Sequence, residues 1–137
     1  MEDDMTLEFK PYWKKTAKQI IENAPSDWET IQLCYIISNK KPNLLYTKNA
    51  GNIYSTGAYI INKTGANKIL NYSNKHKLNQ KIKHPADDYL INSTLTYTYK
   101  YPMFIYAHDE KSTIHQDHVN GHNISKNTIM KNIYGII

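Results

Sequence analysis

The sequence predicts an α/β domain in which helices pack on a sheet, and three observations carry the prediction. Segments with helical periodicity alternate with segments rich in β-branched and aromatic residues. The 137 residues, 40% hydrophobic and 21% charged, have the size and balance of one soluble domain rather than two. No stretch approaches the ~18–20 consecutive apolar residues that crossing a bilayer requires.

The elements follow in order. Trp13, Ala17, Ile20 and Ile21 recur on one helical face while Lys14, Lys15 and Lys18 fall elsewhere, which predicts a helix from Lys10 to Asn23, with Pro11 in its first turn and Pro25 at its exit. Thr30 to Ile37 mixes β-branched and aromatic residues and reads as a mostly buried strand, followed by a loop from Asn39 to Asn43. Asn52 to Asn62 reads as a second strand, interrupted at Gly57 where a side chain would obstruct a close approach. A helix capped by Thr64 comes next, its buried stripe supplied by Ala66, Ile69 and Leu70, before a polar connection from Asn71 to Lys83. Pro85 opens a third helix with Asp87 and Asp88 in the first turn, where the helix dipole favours carboxylates, and with Tyr89, Leu90 and Ile91 for packing. Tyr97, Tyr99 and Tyr101 alternate with Thr98 and Lys100 in a strand that Pro102 breaks ahead of Met103-Phe104-Ile105-Tyr106. From His108 onward the chain is polar, so a domain over residues 1–115 and a poorly packed polar tail over 116–137 are expected.

Charge and composition exclude more than they assign. All 17 cations are lysine against 12 anions, and the chain has no arginine. Bidentate forks to phosphate or guanine come from arginine, so the basic balance argues against a base-reading nucleic-acid protein. The 18 Ile, 17 Lys, 15 Asn and 12 Tyr all have A/T-rich codons and are read as base-composition bias before function. Asn62, Asn71, Asn92 and Asn123 begin glycosylation-type triplets, a number that chance supplies among so many asparagines. The acidic N-terminus is unlike a secretory signal, and a cytoplasmic location is expected.

Four groups of residues have the chemistry for a site. Glu2, Asp3 and Asp4 crowd like charges, which a divalent cation with oxygen ligands would stabilise; a solvated chain end is the competing reading. Asp87 and Asp88 serve either as helix caps or, facing a cleft, as a general base for a hydroxyl nucleophile. His115, His118 and His122 with Asp117 form either a metal site or part of a solvated tail. Cys34, the only cysteine, lies among apolar neighbours and reads as an inert core thiol.

Taken in order, several blocks resemble the glycosyltransferase family 25 domain, the family of bacterial lipooligosaccharide galactosyltransferases and procollagen galactosyltransferases, which also occurs in large DNA viruses. Glu2-Asp3-Asp4 resembles its acidic motif. Asp27-Trp28-Glu29-Thr30-Ile31-Gln32-Leu33 resembles its tryptophan-led strand, and the run from Gly57 to Ala66 resembles its strand that enters a Gly-Ala helix. Pro85-Ala86-Asp87 resembles its Pro-Val-Asp element, and Pro102 to Tyr106 with Ser112-Thr113-Ile114 resembles its closing strand and Ser-x-Ile tail.

The resemblance implies a partial GT-A type, Rossmann-like fold that transfers galactose or glucose from a UDP-sugar to an acceptor hydroxyl on a glycan or a hydroxylysine-like group. It implies Mn²⁺ or Mg²⁺ held by Glu2, Asp3 and Asp4, Asp87 as the base with Asp88 its nearest competitor, and Gly57, Ala58 and Tyr59 shaping the sugar pocket. A viral member would act in the host cytoplasm. The family's nucleotide-binding βαβ portion precedes the acidic motif and has no counterpart ahead of Glu2. The expectation that follows is a parallel sheet with a bared edge, needing a partner chain that supplies the missing half, or alternatively a non-catalytic remnant or binding module.

Overall fold

A computed structural model describes residues 1–2, 4–37, 41–75, 86–107 and 116–136 of the chain. Among the described residues, six short strands and four α-helices follow one another: β1 (Met5–Thr6), α1 (Ala17–Glu22), β2 (Thr30–Gln32), β3 (Tyr46–Lys48), β4 (Tyr59–Ile61), α2 (Lys63–Lys75), α3 (Ala86–Ser93), β5 (Thr96–Tyr99), β6 (Ile105–Tyr106) and α4 (Gln116–Ile129). A 3-10 turn spans Lys10–Tyr12, and a π-helical turn, Met130–Tyr134, continues α4. The α/β class expected from the sequence is the class observed.

The main sheet has the strand order β3-β5-β2-β4. It is mixed rather than parallel. Only β2 and β5 run parallel, with Thr30 opposite Thr96 and Gln32 opposite Thr98, while β4 and β3 lie antiparallel on either side. All three residues of β2 are buried, as befits a central strand. Its polar members are satisfied within the sheet. Thr30, Thr94 and Thr96 form a ladder of hydroxyls 2.9 Å apart, ending on the Leu90 carbonyl. Gln32 and Asn49 bond each other at 2.7 Å, and Asn49 Oδ1 accepts from the backbone N–H groups of Gly51, Asn52 and Ile53. β1 and β6 pair separately, Met5 opposite Tyr106.

Several predicted boundaries move, each for a local reason. The helix expected over Lys10–Asn23 is divided, because Trp13 is extended and its indole N–H reaches the Met103 carbonyl at 2.9 Å. The chain re-enters helix only at Thr16, whose hydroxyl accepts from the Gln19 N–H while Gln19 Oε1 accepts from the Thr16 N–H, a reciprocal capping box. Ile20 is buried on that helix, but Ile21 is exposed. The strand expected over Thr30–Ile37 keeps its ladder only to Gln32. There Leu33 and Cys34 both donate to the Ala58 carbonyl, at 2.9 and 3.2 Å, the two-against-one arrangement of a β-bulge. Pairing resumes as a single bridge from Ile36 to Tyr54, so the strand expected from Asn52 is likewise confined to Tyr59–Ile61.

The cap of α2 is Asn62, not Thr64: its Oδ1 accepts from the Gly65 N–H at 2.9 Å. The helix runs to Lys75, farther than its polar composition suggested, and Leu70 is exposed while Gly65 is buried. Gly65 permits the close approach, since a Cβ there would stand 2.8 Å from the Glu29 carbonyl. β3 was not expected. Its Tyr46 is drawn in by a 2.7 Å bond from its hydroxyl to the Ile20 carbonyl and by the Tyr99 ring.

The expected poorly packed tail is overturned for its described part. Ile129 is fully buried and Ile133 nearly so, one turn apart on one face, against Phe9, Tyr35, Ile53 and Ile105. Ser125 Oγ accepts from the Ile37 N–H at 2.7 Å, Lys126 pairs with Glu8, and the Tyr134 hydroxyl donates to the Pro102 carbonyl at 2.6 Å. A second core cluster, built on Ile20, Ile31, Leu33, Cys34, Tyr99 and Met103, fills the space beside the main sheet. Among the described residues no helix is long and apolar enough to cross a membrane.

Candidate functional site

Three segments remote in sequence meet at Thr56. Its Oγ1 lies 3.0 Å from Glu2 Oε1 and 3.2 Å from Asp87 Oδ1. A hydroxyl carries one proton, so it serves one carboxylate at a time while the other faces its lone pairs. The second carboxylate draws its remaining hydrogen bonds from solvent, which leaves it open to a cation or a ligand hydroxyl.

Each partner is placed by the fold. Glu2 is held by its backbone, whose N–H donates to the Gly57 carbonyl at 2.7 Å. Asp4 is fixed through its carbonyl, which accepts from the Ala107 N–H at 2.7 Å at the end of the β1–β6 pair. Asp87 stands in the first turn of α3, as expected, and of the two adjacent aspartates it is Asp87 that bonds Thr56; Asp88 is half-buried beside it. Asp3 lies outside the described residues, as do Pro85 and His115 and the side chains of Asp117 and His118.

Beneath these groups sits a buried polar contact set. Ser55 is 1% exposed and has a backbone φ of 133°, the one positive value among described non-glycine residues. Its Oγ accepts from the Gly57 N–H at 3.0 Å, lies 2.9 Å from the Tyr106 hydroxyl and reaches Cys34 Sγ at 3.7 Å. The Tyr106 ring stacks on His122 of α4 with centroids 4.4 Å apart. Cys34 is the inert core thiol expected: burial, and then the negative charges of Glu2, Asp4 and Asp87, push it up to about 12 against a counteracting bond from Ser55. Burial also raises Tyr106 above the ordinary phenol range against a lowering bond from Ser55, with the charges of Glu2 and Asp87 adding to the rise, so that its hydroxyl keeps its proton. Glu2 and Asp87 thus act on both groups.

The residues proposed to shape a sugar pocket divide. Gly57 does mark a close approach, but to the chain itself: a Cβ there would meet Met5 Sδ at 2.7 Å and the Tyr106 hydroxyl at 3.1 Å. Ala58 is buried, and its carbonyl is committed to the bulge at Leu33 and Cys34. Tyr59 begins the edge strand β4 and is exposed. Thr56, Ser55, Tyr106 and His122 were not nominated for this site by sequence. Ser55 and Thr56 adjoin Gly57, and that adjacency was the available signal.

The donor set at Thr56 consists of hard oxygens, the type that Mn²⁺ and Mg²⁺ prefer. Among the described residues no three His, Cys, Asp or Glu side chains are grouped to hold a metal ion. Of the three acids that the resemblance assigns to the ion, Glu2 and Asp4 lie among the described residues and match it in ligand type, and Asp87 reaches the same hydroxyl as Glu2 from α3. In comparisons with known proteins, no family model, no curated protein and no solved structure matches the chain.

Proposed function

We propose that the chain carries a glycosyltransferase site, transferring a hexose, galactose or glucose, from a UDP-sugar to an acceptor hydroxyl of a glycan or hydroxylysine-like group. One observation supports this reading above the others. The acidic N-terminal motif and the Pro-Ala-Asp element, nominated separately by their resemblance to family 25, each send one carboxylate, Glu2 and Asp87, to the Thr56 hydroxyl, which directly precedes the block beginning at Gly57.

In this reading Glu2 and Asp4, with Asp3, hold Mn²⁺ or Mg²⁺, which when bound neutralises charge on the diphosphate leaving group. Asp87 Oδ1 takes the proton of the acceptor hydroxyl as its oxygen bonds the anomeric carbon and the bond from that carbon to UDP breaks. Asp88 is the alternative base in the same helical turn. The reaction is assigned to the cytoplasm.

A second reading, a non-catalytic remnant or binding module of the same fold, is favoured by Gly57. The space beside it is filled by Met5 and Tyr106 instead of remaining open to a sugar. Calorimetric titration of the purified chain with Mn²⁺ and UDP-galactose separates the two, with Asp3→Ala/Asp4→Ala and Asp87→Asn variants alongside. Metal-dependent heat lost in the Asp3→Ala/Asp4→Ala variant supports the transferase. A folded chain that takes up neither supports the remnant.

A further inference from the structure

We propose that Ser55 and Tyr106 are positioning residues of this site, their mutual hydrogen bond locking residues 55–57 so that the Thr56 hydroxyl stands between Glu2 and Asp87. The ligand in the test below rests on the glycosyl-transfer reading; the lock rests on geometry alone.

A serine with φ of 133° occupies backbone space that L side chains rarely adopt, and such a conformation persists only where its surroundings over-determine it. Here they do. The Ser55 carbonyl accepts from Gln32 Nε2 at 3.0 Å, which ties the residue to the central strand. Its hydroxyl has two lone pairs and one proton. The Gly57 N–H takes one lone pair at 3.0 Å, the Tyr106 hydroxyl shares a hydrogen bond with it at 2.9 Å, and Cys34 Sγ lies at 3.7 Å, so three groups hold this one hydroxyl.

Tyr106 is itself anchored at three points. Its backbone pairs with Met5 in the strand that follows Asp4, its ring lies on His122 of α4, and its hydroxyl meets Ser55. The same residue thus joins the acidic segment, the C-terminal helix and the strained turn. Phenylalanine would keep the first two contacts, so only the third requires a tyrosine. With the lock removed, the Ser55 backbone is free to relax and the Thr56 hydroxyl to leave the position from which it reaches both carboxylates.

The test uses the full chain with Tyr106→Phe, Ser55→Ala and the double variant, and Tyr97→Phe as a control that removes another tyrosine hydroxyl bond, to Asp27, elsewhere on the fold. Mn²⁺-dependent affinity for UDP-galactose is measured by calorimetry, melting temperature by circular dichroism, and amide exchange at Gly57 by NMR. Each single variant is expected to weaken affinity about tenfold or more. The double is expected to be no weaker than the worse single, because both act through one contact. Tyr97→Phe should bind as wild type. Variants that melt earlier yet bind with unchanged affinity have lost only a structural bond, and that result overturns the proposal. If the wild-type chain takes up no UDP-galactose, the transferase reading fails and Gly57 exchange decides the lock: acceleration of tenfold or more in Tyr106→Phe sustains it, and unchanged exchange overturns it.

Discussion

Glu2 and Asp87 share a single proton donor, the Thr56 hydroxyl, at 3.0 and 3.2 Å. The two carboxylates, drawn to one hydroxyl, link the N-terminal segment to α3 at this point, beside the bond from the Glu2 N–H to the Gly57 carbonyl. Thr56→Val keeps the shape and removes the donor. It should cost about 1 kcal/mol, the usual net value of a hydrogen bond, with the loss reduced by partial exposure. Urea unfolding of the variant checks the figure. A further Glu2→Gln change should recover part of the loss by restoring a donor between the acids.

Gly57 and Gly65 differ in what an added methyl group would strike. At Gly65 the obstacle is the Glu29 backbone carbonyl at 2.8 Å, which cannot move without shifting β2. At Gly57 the nearest atoms are the sulfur and terminal methyl of Met5, which can swing aside. Gly65→Ala should therefore destabilise by about 1–3 kcal/mol, despite the roughly 1 kcal/mol that alanine gains over glycine in a helix. Gly57→Ala should cost less. Chemical denaturation of the two variants gives the order directly, and equal costs would contradict it.

Acid should weaken the fold through Glu29. Burial pushes this carboxyl up, but the Lys68 ammonium and the Leu95 N–H, 2.8 Å away, outweigh it and leave the group below its usual value of 4.5. A depressed carboxyl contributes stability that is fully present above the unfolded value and lost as pH falls through the folded one. Melting temperature should hold above about pH 5 and decline below 4.5. Glu29→Gln should start lower at neutral pH and show a shallower acid decline, which thermal scans across pH 3–7 would show.

Removing Ile129 tests whether the C-terminal helix is integral to the core. Its side chain is fully buried among Phe9, Tyr35, Ile53 and Ile105. Ile129→Ala should destabilise by about 2–5 kcal/mol, the range for emptying a packed core position. Ile124, two-thirds exposed on the same helix, serves as control, and Ile124→Ala should change stability by less than ~0.5 kcal/mol. Guanidinium unfolding of both variants separates a packed helix from an appended tail.

Local signals in the chain were sufficient for the α/β alternation, for α3 with Asp87 and Asp88 in its first turn, for the close approach at Gly57 and for the inert burial of Cys34. These depend on short-range preferences: first-turn carboxylates, a missing side chain, apolar neighbours. Tertiary contacts decided the rest. β3 exists because Tyr46 and Thr47 find Tyr99 and Thr98 far along the chain, and the bulge at Leu33 and Cys34 exists because both meet the single carbonyl of Ala58. The polar tail packs because Ile129 and Ile133, sparse in sequence, fall on one face of one helix. Thr56 and Ser55 carry no motif of their own. They become a site only where the sheet, α3 and the N-terminal segment bring Glu2, Tyr106 and Asp87 to within hydrogen-bonding distance, a juxtaposition that no local propensity encodes.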